Sequence, residues 1–244
     1  MSSSGFATIG TPGIPVADFQ FGSAQNFSVS YWVRLPAGSL TGDLPFLCNA
    51  QNSYGNFGLS FAPSYQHGGW SWYLGNSSSG VGLYGPDNSI NNGAWHHLVH
   101  TFNRSGSGIT YLDGVQVNST SITGAGNIDS GQDLNVGSDS LGTYPEAGSA
   151  DIDDVGIWRR VLTPIEAQTI YTVGQNVGRS FDTYGPVTLK MTKAGNSLQF
   201  IWEAGTLLEA PAVDGPWTPV SGAAAPYFTL SVPASGNKFY KVRL

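Results

Sequence analysis

The chain has 244 residues and a net charge of −6, and charged side chains make up 11% of it against roughly 25% in an average globular protein, so it lacks the basic stripe that nucleic-acid binding requires. Its 12% aromatic content, with 33 glycines and 14 prolines, excludes disorder and fits a folded, turn-rich β protein. A single cysteine excludes an internal disulfide and a CxxC zinc site, and no apolar run approaches the ~18 residues of a membrane-crossing helix.

The opening "MSSSG" has neither the basic nor the apolar region of a secretory signal. The expectation is therefore an extracellular chain whose native leader is absent here. From residue 26 onward, alternating segments bounded by Gly, Asn, Pro and Ser recur, the pattern of antiparallel strands and turns. In "NFSVSYWVRL" (26–35), Phe27, Val29, Tyr31 and Val33 face one way. "DLPFLCNA", "NFGLSFAP", "GWSWYLG" and "GVGLYG" follow, then "AWHHLVHTFN", "GITYLDG", "VQVNSTSI", "DLNVGS" and "ADIDDVGIW". About ten strands without intervening helices predict an all-β, two-sheet antiparallel jelly-roll sandwich. "LTPIEAQTIYTVG" is the exception. Thr163 as N-cap, Pro164 at the first helical position and Glu166 three residues past the cap form a capping box. Ile165, Ile170 and Val173 form its expected apolar face, and Gly174 its stop.

Beyond Gly185 the balance of charge reverses. Residues 1–185 carry 13 acidic and 5 basic side chains, and residues 186–244 carry 3 and 5. This predicts a main domain over 1–177, a linker at 178–185 and a small C-terminal β module over 186–244.

Three of the four histidines lie in "WHHLVHTFN". Alternation puts Trp95, His97, Val99 and Thr101 on one face, with His96, Leu98, His100 and Phe102 on the other. His96 and His100 then stand about 13 Å apart, too far to share a metal. No nucleophile motif surrounds them. Trp95 is expected in the core.

That segment, with "YLDG" after it, resembles the LamG-like jelly-roll domains of the concanavalin A-like lectin/glucanase superfamily. "NFSVSYWVRL", "AWHHLVHTFN…ITYLDGVQV", "DLNVGS" and "ADIDDVGIWRRVLTPIEAQTIYTVG" come in that family's order, over about residues 5–175. "DG" at Asp113–Gly114 is also a hairpin turn in its own right. The resemblance implies two curved sheets, often a structural calcium ion, and frequently carbohydrate binding without catalysis. The histidines then belong to sheet packing and its rim.

Asp151, Asp153 and Asp154 form the densest acidic cluster. Close carboxylates repel unless a cation or polar groups offset them. Asp153 and Asp154 are the expected calcium ligands, with Asp151 and Asp18 as further candidates; the alternative is turn capping or pairing with Arg159 and Arg160. Sugar recognition relies on aromatic faces beside amides and carboxylates, and residues 51–92 are rich in both. Tyr54, Tyr65, His67, Trp70, Trp72, Tyr84 and Tyr144 are the expected ligand-binding residues, although Trp70 and Trp72 are equally open to a core role. The favoured reading is a non-catalytic, monomeric carbohydrate-binding module of a larger extracellular bacterial protein. It takes a polysaccharide or glycan and neither nucleic acid nor membrane. The alternatives are a protein-binding, adhesive LamG-like domain and a glycoside hydrolase.

Overall fold

The computed structural model describes residues 6–40, 45–50, 57–64, 66–76, 79–140, 149–177, 189–202, 205–225, 227–232 and 237–243. Contacts divide the chain into two units, Met1–Gly178 and Arg179–Leu244. The linker expected at 178–185 lies outside the described residues.

In the first unit the alternating segments become β1 (Ala7–Ile9), β2 (Phe27–Arg34), β3 (Leu47–Cys48), β4 (Gly58–Pro63), β5 (Trp70–Gly75) and β6 (Gly80–Tyr84). They continue as β7 (His96–Phe102), β8 (Ser107–Leu112), β9 (Val115–Ser121), β10 (Leu134–Val136) and β11 (Asp151–Trp158). One six-stranded sheet runs β1-β10-β3-β4-β5-β6 and one five-stranded sheet runs β11-β2-β7-β8-β9. Every pairing within them is antiparallel. This is the two-sheet sandwich that alternation predicts. The short β1 was not among the expected strands, because three residues give a period of two nothing to repeat over.

The core lies between the two sheets. Phe27, Val29, Tyr31 and Val33 of β2 all point into it, as do Leu98 and Phe102 of β7. The facing sheet contributes Leu59, Phe61, Trp70, Trp72 and Leu74. Trp70 and Trp72 are 0% and 1% exposed. Trp72 donates its indole N–H to Thr110 Oγ1 at 3.1 Å and meets Phe102 edge-on at 5.1 Å. Trp95 reverses the expectation: it is 38% exposed.

The outer face of the five-stranded sheet is covered by α1 (Pro164–Val177). The capping box forms as read. Glu166 N–H donates to Thr163 Oγ1 at 3.2 Å, and Thr163 N–H donates to Glu166 Oε2 at 2.8 Å. Arg160 grips the same carboxylate through two nitrogens at 2.8 and 2.7 Å. That hydrogen-bonded guanidinium pulls the Glu166 carboxyl down to about 2. The apolar face differs from the expected one. Ala167 and Ile170 pack on Val99, Tyr111 and Leu162, whereas Ile165 is exposed. Gly174 is not the stop: the helix passes it, and a Cβ there would lie 2.8 Å from the Trp32 indole. A bare Cα at that point is what admits the helix against the sheet.

Strand β7 carries a histidine into each layer. His100 faces the core, bonded to Tyr31 Oη and Thr110 Oγ1, both at 3.0 Å. His97 faces the helix, bonded to Ser30 Oγ at 2.8 Å, tilted against Trp32 at 5.0 Å and stacked on Tyr171 at 6.2 Å. His96 sits at the rim, bonded to Asp113 Oδ2 at 2.8 Å. Asp113 and Gly114 both have positive φ, 51° and 77°, as a two-residue type I′ hairpin requires.

The second unit holds β12 (Lys190–Ala194), β13 (Ser197–Ile201), β14 (Thr206–Ala210), β15 (Thr218–Pro219), β16 (Tyr227–Ser231) and β17 (Phe239–Arg243). They form two three-stranded sheets, β12-β13-β16 and β15-β14-β17. Phe200, Trp202 and Leu207 form a separate small core.

Two expectations follow from the packing. Trp70→Ala should cost about 3–5 kcal/mol as a large-to-small core change, whereas Trp95→Ala should cost about 1 kcal/mol or less; denaturant midpoints compare them. Burial lowers His97 to about 4 and His100 to about 3. Both rings are neutral in the fold while the unfolded chain titrates near 6.5. Their contribution is therefore complete above about pH 6.5 and is lost as pH falls through the folded-state values. Urea midpoints should drop between pH 6.5 and 4, and the variant with both His97→Gln and His100→Gln should show a flatter decline. An equal slope would show that other groups carry the acid sensitivity.

Candidate functional site

The strand connectivity gathers several loops at one end of the sandwich: 35–40 after β2, 66–69 before β5, 85–95 between β6 and β7, the β8–β9 turn, and residues 149–150 before β11. Backbone hydrogen bonds lock them together. Asn88 N–H donates to the His67 carbonyl at 2.6 Å, Ile90 N–H to that of Gly68 at 3.2 Å, and Gly38 N–H to that of Asn91 at 2.8 Å. The Asn91 side chain adds bonds to Asn88 Oδ1 and the Ser39 carbonyl, each 3.0 Å. Two turn residues, Gln66 and Asn88, hold positive φ of 60° and 57°. This end is therefore built to a fixed shape, the usual way loops on a rigid scaffold carry function.

At its edge the outward rows of the five-stranded sheet end in a chemically distinct group. Asp151 pairs with Arg34 across β11 and β2, and Trp95 immediately precedes β7, whose His96 lies opposite Val33. Arg34 Nε and Nη2 both donate to Asp151 Oδ2, at 2.8 and 2.6 Å. The Arg34 guanidinium also stands 5.1 Å from the Trp95 ring centroid. A cavity of about 160 Å³ opens beside them, walled by Arg34, Leu35, Pro36, Gly93, Ser149, Ala150 and Asp151. The ion pair is about half exposed on both sides, 46% and 51%. It is thus accessible to a solute.

The residues expected to bind ligand divide into three groups. Tyr54, Tyr65 and Tyr144 lie outside the described residues. Trp70 and Trp72 are core residues, so their faces are occupied by packing and they are not ligand contacts. His67 and Tyr84 are exposed: Tyr84 is 47% exposed, and His67 Nδ1 pairs with Asp87 Oδ1 at 3.0 Å. Arg34 and Trp95 were not among the expected binding residues. The parity that places Trp95 on the outward face with His97 was the available signal.

The expected calcium ligands are not assembled as a set. Asp151 is engaged by Arg34, not by Arg159 or Arg160. Asp18 lies in a single 3-10 turn, and its carbonyl accepts from Arg159, beyond the opposite end of β11. Asp153 and Asp154 remain adjacent at a β-bulge, where Asp154 has φ of 47° and donates its N–H to Asp153 Oδ1 at 2.9 Å. Among the described residues, no three His, Cys, Asp or Glu side chains converge as a metal site would require.

Ser30, His97 and Asp113 are the residue types of a nucleophilic triad but not its geometry. Asp113 bonds the ring of His96 and the backbone N–H of His97, while His97 Nδ1 has no partner among the described residues. Ser30 and His97 are both 0% exposed. No substrate reaches that hydroxyl.

A laminin G-type family profile, described as the concanavalin A-like lectin/glucanases superfamily, matches residues 8–168. No curated protein sequence matches the chain. Among solved structures, the binding domain of botulinum neurotoxin serotype G aligns at 16% identity and a TM-score of 0.54, covering 92% of this chain and 54% of that one. The serotype D binding domain gives 16%, 0.53, 90% and 59%. The binding domain of paraclostridial mosquitocidal protein 1 gives 16%, 0.53, 82% and 49%. The chain spans about half the length of these structures, and at this identity the likeness shows the fold alone.

The locked loops yield a prediction. Gly68 has φ of +62°, and a Cβ there would lie 2.1 Å from Asn91 Nδ2. Gly68→Ala should cost about 1–3 kcal/mol and speed amide exchange in the 66–69 and 85–92 loops. Unchanged exchange there would show that the loops are not interlocked through Asn91.

Proposed function

We propose that this chain, which belongs to the concanavalin A-like lectin/glucanases superfamily, is a non-catalytic carbohydrate-binding module of an extracellular protein. The observation that carries the reading is the accessible Arg34–Asp151 pair beside exposed Trp95, bordering a cavity of about 160 Å³. Sugars offer hydroxyls that both donate and accept, on rings with apolar C–H faces. A guanidinium, a carboxylate and an indole placed together match all three properties. The solved structures of similar fold are themselves called binding domains, which supports a binding role. No described helix is long and apolar enough to cross a membrane.

Calcium is retained in this proposal only through Asp153 and Asp154, with carbonyl oxygens and water as the remaining ligands such an ion accepts. A ligand bound only by the native state raises the melting temperature by mass action. Calcium should therefore raise it, EDTA should reverse the rise, and Asp153→Ala should abolish the difference. Equal melting temperatures with calcium and EDTA would remove calcium from the proposal.

The functional test is binding of the intact chain to an array of immobilised glycans, with and without calcium, beside an assay for release of reducing ends. Binding without release is the expected result. No binding to any glycan would leave the adhesive, protein-binding alternative, and release of reducing ends would establish a hydrolase.

A further inference from the structure

Resting on that reading, we propose that the Arg34–Asp151–Trp95 site selects a single uncharged sugar ring, at a chain end, over sialylated, sulfated or uronic counterparts. The hydrogen-bond inventory points this way. Both bonds from Arg34 end on the same oxygen, Asp151 Oδ2. Among the described residues, Asp151 Oδ1 has no partner and is an open acceptor. Of the five guanidinium N–H groups, those on Nη1 and one on Nη2 meet no partner among the described residues. One pair thus offers both an acceptor and donors, which complements the hydroxyls of a sugar, one donating to Oδ1 and another accepting from the guanidinium.

Charge decides between ligand classes. The pair is neutral overall, so an anionic substituent drawn to Arg34 also meets the open oxygen of Asp151, and attraction and repulsion largely cancel. A neutral diol meets no such opposition. Leu35, Pro36 and Ala150 line the cavity with carbon, and Trp95, 38% exposed, lies outside that lining with its ring against the Arg34 guanidinium, offering the rest of its indole as apolar surface. Size sets the last limit. At about 160 Å³ the cavity falls below the roughly 300–1,000 Å³ of sites for drug-sized ligands, which suits one ring, and a terminal ring, with one linkage instead of two, enters it with the least obstruction. With both partners half exposed, affinity per site is low, and multivalent display is needed to reveal it.

The experiment presents the intact chain, in multivalent form, with immobilised glycans ending in galactose, glucose, mannose or N-acetylhexosamine. Each is paired with its sialylated or sulfated counterpart. At least one neutral member should bind, at least about tenfold better than its charged counterpart. Arg34→Lys, Asp151→Ala and Trp95→Ala should each weaken that binding about tenfold or more while lowering the melting temperature by no more than about 4 °C, and Trp95→Phe should restore part of it. Preference for the charged members, or neutral binding indifferent to all three substitutions, would overturn this inference while leaving the carbohydrate-binding reading intact. Absence of binding to every glycan would overturn both.

Discussion

The antiparallel register of β2 against β7 is the constraint on which the rest of the first unit depends. With Phe27 opposite Phe102 and Val33 opposite His96, one parity of both strands enters the core. The other meets the helix and then the open end. A slip of one residue would exchange the two faces, placing Trp32 and Arg34 between the sheets and Tyr31 and Val33 outside them. The polar pairs fix the same register. His100 bonds Tyr31 inside and His97 bonds Ser30 outside, so neither histidine can exchange faces without leaving buried polar atoms unpaired. These histidines are part of the fold's specification, and their chemistry is spent there.

The same register creates the candidate site. Outward rows run from Ser28 through Ser30 and Trp32 to Arg34, and α1 covers the middle of that series by stacking Tyr171 on Trp32 at 5.8 Å. Arg34 lies one row further, where its guanidinium lies against Trp95 and holds Asp151. A row that would be buried under a longer cover is instead presented to water, on loops tied together by their own backbone. Recognition of a small polar ligand is consistent with that construction, and Ser30 and His97, sealed inside, cannot serve as a nucleophile and its base.

Much of this was legible in the residues. The alternation of Phe27, Val29, Tyr31 and Val33, the Thr163–Glu166 capping box and the Asp113–Gly114 turn are local signals, and each formed as read. The tryptophans were not legible in the same way. Alternation gives parity, but it does not say which parity faces the second sheet or how far a helix extends over the other side. Trp70 and Trp72 therefore proved to be core, and Trp95 proved to lie past the covered rows. The Arg34–Asp151 pair joins residues 117 positions apart, a separation over which sequence proximity favoured Arg159 and Arg160. Those two arginines are used elsewhere, on the Asp18 and Gln20 carbonyls and on Glu166.

The most direct test of the account follows the seven tryptophan indole N–H resonances and the Arg34 Nε–H resonance by NMR while a bound neutral glycan is titrated in. The account predicts that the Trp95 and Arg34 signals shift together and saturate on one curve, while those of Trp70 and Trp72 stay in place. Saturable shifts elsewhere with Trp95 and Arg34 unmoved would contradict it.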